Sequence, residues 1–373
     1  MASETNFLLT SESVTEGHPD KVCDLIADAV LDANIGPDAN ARVACEVLCK
    51  KDKVVLAGEI TSKAGLKKAD YEGLVRSVVE GIGYVDPAEA FNAKGVKVLN
   101  FLTRQSKEIG GAVKKATDAK KKDQGAGDQG IMFGYATTET DELLPLPIVL
   151  AHALTRGLSE ARRNFVPWLR PDGKSQVTVR YEGGVPVQVE SVLVSTQHAE
   201  GVTREEIAEW VARELAPKAL GKWHRDGIRF IANPSGSFVL GGPTADAGVT
   251  GRKIIVDSYG GAARHGGGAW SGKDPSKVDR SGAYFCRWAA RQVVKAGLAR
   301  RAEIQVSYAI GEAKPMSVTV ETFGTGDAKA AAALVSSFDF RPAAISERLD
   351  LRRPFYTKTT NYGHFKAGLP WEA

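Results

Sequence analysis

No stretch of about eighteen apolar residues occurs in the chain, and the opening MASETNFLLTSES has neither a basic cluster nor an apolar run. Neither a membrane span nor a secretory signal is therefore expected, and the reading is a cytoplasmic protein. Cysteine is scarce. Cys23, Cys45, Cys49 and Cys286 form no C-x-x-C pair, which argues against a zinc knuckle and for reduced core thiols. An excess of one charge is also missing: 49 Lys and Arg against 45 Asp and Glu leave a net charge of +4, too little by itself to imply nucleic acid or an anionic membrane. What is present is ordinary globular composition, 43% hydrophobic and 25% charged over 373 residues, enough for two or three domains.

The apolar periodicity repeats. Pro19 to Asn34 places Val22, Leu25, Ile26, Ala29 and Val30 at helical spacing, with Pro19 at a first-turn position. ARVACEVLCK and KVVLAGEIT then alternate around KKDK, Asp70 to Tyr84 carries an apolar helical face, and KGVKVLNF reads as a strand. The same order returns from about Pro147, through QVTVRY and PVQVESVLVS, a helix opened by the Thr203/Glu206 capping box, and IRFIAN. A third pass starts near Ser276 and runs through EIQVSYAI, MSVTVETFG and a helix around Lys329 to Ser336. The first helices begin near residues 19, 147 and 276, about 128 and 129 residues apart, a period long enough for whole α+β domains. Short apolar runs (NFLLT, IMFGYAT, KIIVDSY) precede each first helix, so each unit is expected to be β-α-β-β-α-β. The expected domains are residues 1–108, 122–240 and 241–373, with chain ends crossing between them.

Two long stretches do not fit the repeat: Arg104 to Gly127, and Val239 to Ser281. Such segments inside compact proteins are usually lids or binding loops. In the second, Arg252, Lys253, Arg264, Lys273 and Lys277 outnumber Asp257, Asp274 and Asp279, and seven glycines lie between Gly251 and Gly272. Fixed cations and accessible backbone amides suit a polyphosphate. The pattern is not G-x-x-x-x-G-K-[ST], so a Walker fold is disfavoured. SESVTEGHPDK sets His18, Asp20 and Lys21 around Pro19 at a helix N-terminus, where phosphate is favoured. Asp123 and Asp128 sit in a glycine turn, Asp172 and Lys174 precede a strand, and Glu46 and Glu59 lie on adjacent hairpin strands amid apolar residues. Each of these taken singly fits turn chemistry or an exposed sheet face as well as a ligand site.

Taken together and in order, SESVTEGHPDK, GAGDQGIMFGYAT, GGP-x-x-DAGVTGRKIIVDSYGG and ARHGGGAWSGKDPSKVDRSGAY closely resemble the signature segments of S-adenosylmethionine synthetases, and the likeness extends to the final YGHF and PWE. The resemblance implies three similar α+β domains related by a pseudo-threefold axis. It also implies an enzyme that joins ATP to methionine and then hydrolyses the bound tripolyphosphate to pyrophosphate and phosphate, using Mg2+ (two per site) and K+. ATP would be held by His18, Asp172, Gly173, Lys174, Phe238, Arg252 and Lys253 of one subunit, with Asp246, Ala269 and Lys273 of its partner. Ser237, beside Phe238, stands where the family usually has Arg. Glu59, Gln105, Asp246 and Lys277 match methionine-binding positions, and Asp128 resembles an acid near the methionine amine. Asp20 and Asp279 look like Mg2+ ligands and Glu46 like the K+ ligand. His18, Lys174, Arg252, Lys253 and Lys273 are the expected catalytic set, in a dimer or dimer of dimers with shared sites.

Two other readings compete. A phosphotransferase would share ATP, Mg2+ and lysines, but the chain carries neither kinase nor Walker signature. A nucleic-acid module is motivated by KKATDAKKK and the Arg/Lys-Gly loops, yet the weak net charge and the lack of aromatics among the basic residues argue against it.

Overall fold

The computed structural model describes residues 6–104 and 124–373. Strands β1 (Phe7–Val14), β2 (Arg42–Lys50), β3 (Lys53–Thr61), β4 (Lys97–Thr103), β5 (Gly130–Thr137), β6 (Leu169–Glu182), β7 (Val185–His198), β8 (Arg229–Ala232), β9 (Gly248–Val249), β10 (Arg301–Tyr308) and β11 (Ser317–Glu321) form three sheets. Their orders are β4-β3-β2-β9, β1-β6-β7-β8 and β11-β10-β5. Each sheet contains a hairpin of consecutive strands, β2-β3, β6-β7 or β10-β11, as the alternating segments predict. The antiparallel strand on its outer flank comes from another third of the chain: β9 pairs with β2, β1 with β6, and β5 with β10. Each third thus donates its first strand to another's sheet, in a cycle that closes on itself. A parallel strand completes the other edge of two sheets, β4 on β3 and β8 on β7. This cyclic exchange gives the α+β fold its threefold character.

Helices α1 (Pro19–Ile35), α2 (Lys68–Ile82), α3 (Leu146–Asn164), α4 (Arg204–Trp210), α5 (Val278–Lys295), α6 (Ala328–Ser336) and α7 (Pro342–Arg348) cover the sheets. Pro19 stands in the first turn of α1, where its missing N–H costs nothing. Thr203 and Glu206 close the capping box of α4. That helix passes into a π turn, Val211–Leu215, just ahead of Pro217, because proline cannot donate to the preceding turn. Helix α5 lies so close on β5 that a Cβ at Gly134 would fall 1.9 Å from the Cys286 carbonyl carbon, so only glycine admits the contact.

Two expectations change. KIIVDSY is no strand: Ile254–Asp257 is one helical turn, and the donated strand is the shorter Gly248–Val249 before it. The third repeat ends in α7 where the others end in a parallel strand, and its sheet has three strands among the described residues. One apolar core joins the first and third sheets around α1 and α5, and a second core underlies the sheet of β6 and β7. All four cysteines are buried and unpaired, as the composition implied.

Candidate active site

The N-terminus of α1 organises the first group of site residues. His18 caps the helix, its Nδ1 accepting the Asp20 N–H at 3.2 Å. Since Nδ1 accepts, the ring proton sits on Nε2. Burial, then the charges of Lys253, Lys174, Lys21 and Arg252, push the His18 pKa down to about 2, so the imidazole stays neutral and remains a hydrogen-bond donor. Asp20 is buried. Its Oδ1 accepts the Val249 N–H at 3.0 Å, its Oδ2 accepts Lys253 Nζ at 2.6 Å, and Arg252 Nη1 lies 3.8 Å from Oδ1.

The opening residues of β6 approach from the middle domain. Thr15 N–H donates to the Gly173 carbonyl at 2.9 Å and Thr15 Oγ1 to the Pro171 carbonyl at 2.7 Å, so the turn before α1 is stitched to Asp172, Gly173 and Lys174. Asp172 Oδ2 accepts the Gly242 N–H at 2.8 Å, while Oδ1 is buried without a partner. Burial raises the Asp172 pKa to about 6 against the hydrogen bonds of Gly242 and Gly173 and the charge of Lys174; Asp246 adds to the rise. A buried acceptor left open in this way is a ready partner for a ligand donor. Phe238 is held by a residue that the sequence did not flag: His198 Nε2 accepts its N–H at 2.9 Å, and the His198 N–H donates to the Phe238 carbonyl at 3.0 Å. Ser237 beside it is exposed.

A second group occupies the open face of the first sheet. Glu59 of β3 and Lys273 both pair with Ala44 of β2, from opposite sides, and Glu46 stands two residues along the same strand. Paired and alternate residues share a face, so Glu46, Glu59 and Lys273 point the same way. Burial raises the Glu46 pKa and the charge of Lys273 opposes the shift. Lys273 Nζ lies 2.6 Å from Asp279 Oδ2, and Lys277 binds Asp274. Gly268 packs on Asp279, with 2.3 Å between an added Cβ and Oδ1. The residue before Asp128 is tied to the residue before Lys277, the Gly127 N–H donating to the Ser276 carbonyl at 3.2 Å. Gln105 and Asp123, like most of the stretch read as a lid or binding loop, lie outside the described residues.

The two groups abut where a Cβ on Gly251 would come 2.4 Å from the Ala269 methyl, yet their lysines serve different carboxylates. Asp246 stands with the first group, through its effect on Asp172 within the same chain. A groove of about 740 Å3 between α3 and the π-turn helix, lined by Phe165, Trp210 and Leu215, contains none of these residues.

Neutral histidine, clustered Lys and Arg, an open acid and glycine-lined backbone have the chemistry that suits a substrate carrying several phosphates. Comparison with known proteins specifies it further. Three family models match in succession: the N-terminal domain of S-adenosylmethionine synthetase at residues 6–107, the central domain at 123–238 and the C-terminal domain at 240–373. Relatives named S-adenosylmethionine synthase include that of Myxococcus xanthus, 53% identical over 97% of this chain and 90% of the relative. That of Thermus thermophilus is 52% identical over 98% and 95%, and that of Nocardia farcinica 50% over 100% and 96%. The chain belongs to the S-adenosylmethionine synthetase family.

Proposed function

We infer that the chain forms S-adenosylmethionine from ATP and methionine. The observation that carries the reading is the gathering of Lys253, Arg252 and Lys174 charges around a neutral, Nε2-protonated His18. A thioether sulfur is already nucleophilic, so no general base is needed. The S–C5′ bond forms as the C5′–O5′ bond breaks, and the electron pair leaves on the triphosphate. Lys174, Arg252 and Lys253 stabilise that developing charge, and His18 donates its Nε2–H to a phosphate oxygen. Asp172 Oδ1 is free to accept from the nucleotide, and the Phe238 backbone, pinned by His198, borders that side. The same cations retain the tripolyphosphate for hydrolysis to pyrophosphate and phosphate, with Arg252 clamping it.

Among the described residues no group of three or more His, Cys, Asp or Glu is placed to enclose a metal. Mg2+ usually takes one or two carboxylates and completes its shell with phosphate oxygens and water. Asp20 and Asp279 would hold it, and it would neutralise phosphate charge. Glu46, the acid of the second group whose pKa is raised, would take K+.

Leu48, Leu99 and Phe101 are exposed on the sheet face that carries Glu46 and Glu59, an apolar surface of the kind that marks an interface. We read it as the contact between two copies in a dimer, bringing Glu46, Glu59, Ala269, Lys273, Lys277 and Asp279 of one against the His18 group of the other. The buried free thiols fit a reducing cytoplasm. Mass spectrometry after incubation with ATP, methionine, Mg2+ and K+ tests the reading: S-adenosylmethionine with pyrophosphate and phosphate is expected, and ADP would overturn it.

A further inference from the structure

Beneath the site, α1 carries a polar stripe that touches no open surface. Lys21, Asp24 and Asp257 are 1%, 0% and 4% exposed, so none is placed to meet a substrate. Lys21 Nζ lies 2.6 Å from Asp257 Oδ1 and 3.1 Å from Asp24 Oδ2. Asp24 Oδ1 accepts the Gly251 N–H at 2.9 Å. At the far end, the Asp257 N–H donates to the Lys253 carbonyl at 2.8 Å and the Asp257 carbonyl accepts the His364 N–H at 2.9 Å. The segment from Gly251 to Asp257 is therefore clamped at both ends onto one helix, and Arg252 and Lys253 lie inside the clamp.

We propose that Lys21, Asp24 and Asp257 are positioning residues, a buried ionic bridge that fixes the backbone of residues 251–257 so that Arg252 and Lys253 are aimed at the phosphates before substrate arrives. The bridge is separate from the Asp20–Lys253 contact on the site side of the same helix. A cation held beforehand stabilises developing charge without reorganising, whereas one on a loose loop must first be ordered. A buried Lys between two carboxylates is a poor source of net stability compared with apolar packing, which leaves aim as its use. The inference rests on the phosphate role given above to Arg252 and Lys253.

The test uses full-length protein and inorganic tripolyphosphate with Mg2+ as the probe, measured by calorimetry beside steady-state kinetics. Asp257→Ala should weaken tripolyphosphate binding at least tenfold and lower kcat while leaving the methionine KM within twofold. Asp257→Asn, whose Oδ1 still accepts from Lys21, should stay within threefold of the parent on every measure. Val179→Ala, in the separate core under β6, lowers thermal stability without touching the clamp and should bind normally. Should Asp257→Ala not fold, Asp24→Ala removes the other anchor. In that variant hydrogen exchange should rise in the peptides spanning 249–257 and not across the protein. Folded Asp257→Ala or Asp24→Ala binding tripolyphosphate like the parent overturns the proposal while the site reading stands. A parent that binds no tripolyphosphate, or an Arg252→Ala variant that binds it fully, overturns the site reading and the proposal with it.

Discussion

Gly268→Ala isolates the placement of Asp279. The new methyl would lie 2.3 Å from Asp279 Oδ1, 2.4 Å from Cγ and 2.9 Å from Cβ. Because Cβ itself is too near, rotating the carboxylate does not clear the clash. Reaching ordinary contact at 3.4 Å requires Oδ1 to move by about 1.1 Å, and such a move displaces the carboxylate whose Oδ2 holds Lys273 at 2.6 Å. Misplacement on this scale costs about 10²-fold in turnover when geometry governs the rate. The assay is kcat across a Mg2+ titration, with circular dichroism to confirm the fold. A rise in the Mg2+ requirement should accompany the loss if Asp279 holds the metal. Gly73→Ala on α2, where a Cβ meets nothing within 4 Å, is the matched control and should leave turnover unchanged. Gly268→Ala turnover within threefold of the parent at limiting Mg2+ would refute the argument.

Asp28 is buried and holds Arg280 at 2.7 and 2.9 Å, the Gly272 N–H at 2.9 Å and Thr360 Oγ1 at 2.9 Å. Asp28→Ala strands a guanidinium and should cost ~3–5 kcal/mol in urea unfolding, whereas a loss under ~1 kcal/mol would show that the pair is dispensable. If sites are shared, Lys174→Ala and Lys273→Ala should each be nearly inactive, and co-refolding them in equal amounts should restore about one quarter of sites, since half the dimers are mixed and each holds one intact site. Persistent inactivity, with subunit exchange verified by native mass spectrometry, would place both residues in one chain's site. Burial pushes the His152 pKa down to about 3, so below pH 6.5 the unfolded chain binds a proton that the folded one refuses. The benefit of folding His152 neutral is complete above pH 6.5 and is lost as the pH falls toward 3, at about 1.4 kcal/mol per unit. His152→Gln should therefore be less acid-sensitive than the parent by ~2 kcal/mol between pH 7 and 5, and equal pH profiles in urea unfolding would show that His152 is not buried neutral.

What the sequence determined by itself was local or chemical. The apolar spacing of Val22, Ile26 and Val30, the alternation of β2 and β3, and the Thr203/Glu206 box are short-range patterns, and short-range geometry alone decides the helix and hairpin they produce. The ordered signature segments carried the family, because several long rare segments coincide only by descent. Tertiary structure decided which strand completes which sheet. Periodicity shows that β1 has one face to bury, but β6, more than 150 residues away, becomes its neighbour only when the three cores pack. KIIVDSY misled for the same reason: an apolar run of that length suits a strand or a helical turn equally, and the contacts of Gly251 and Asp257 with α1 select the turn. Those contacts also explain why Lys21 reads in the sequence with His18 and Asp20 as part of a phosphate cluster, although it is buried between Asp24 and Asp257, and why Asp24 goes unread. A lysine and an acid three residues apart on a helix look like a solvated pair until a second layer of chain covers them, and burial is a property of that layer, not of the helix.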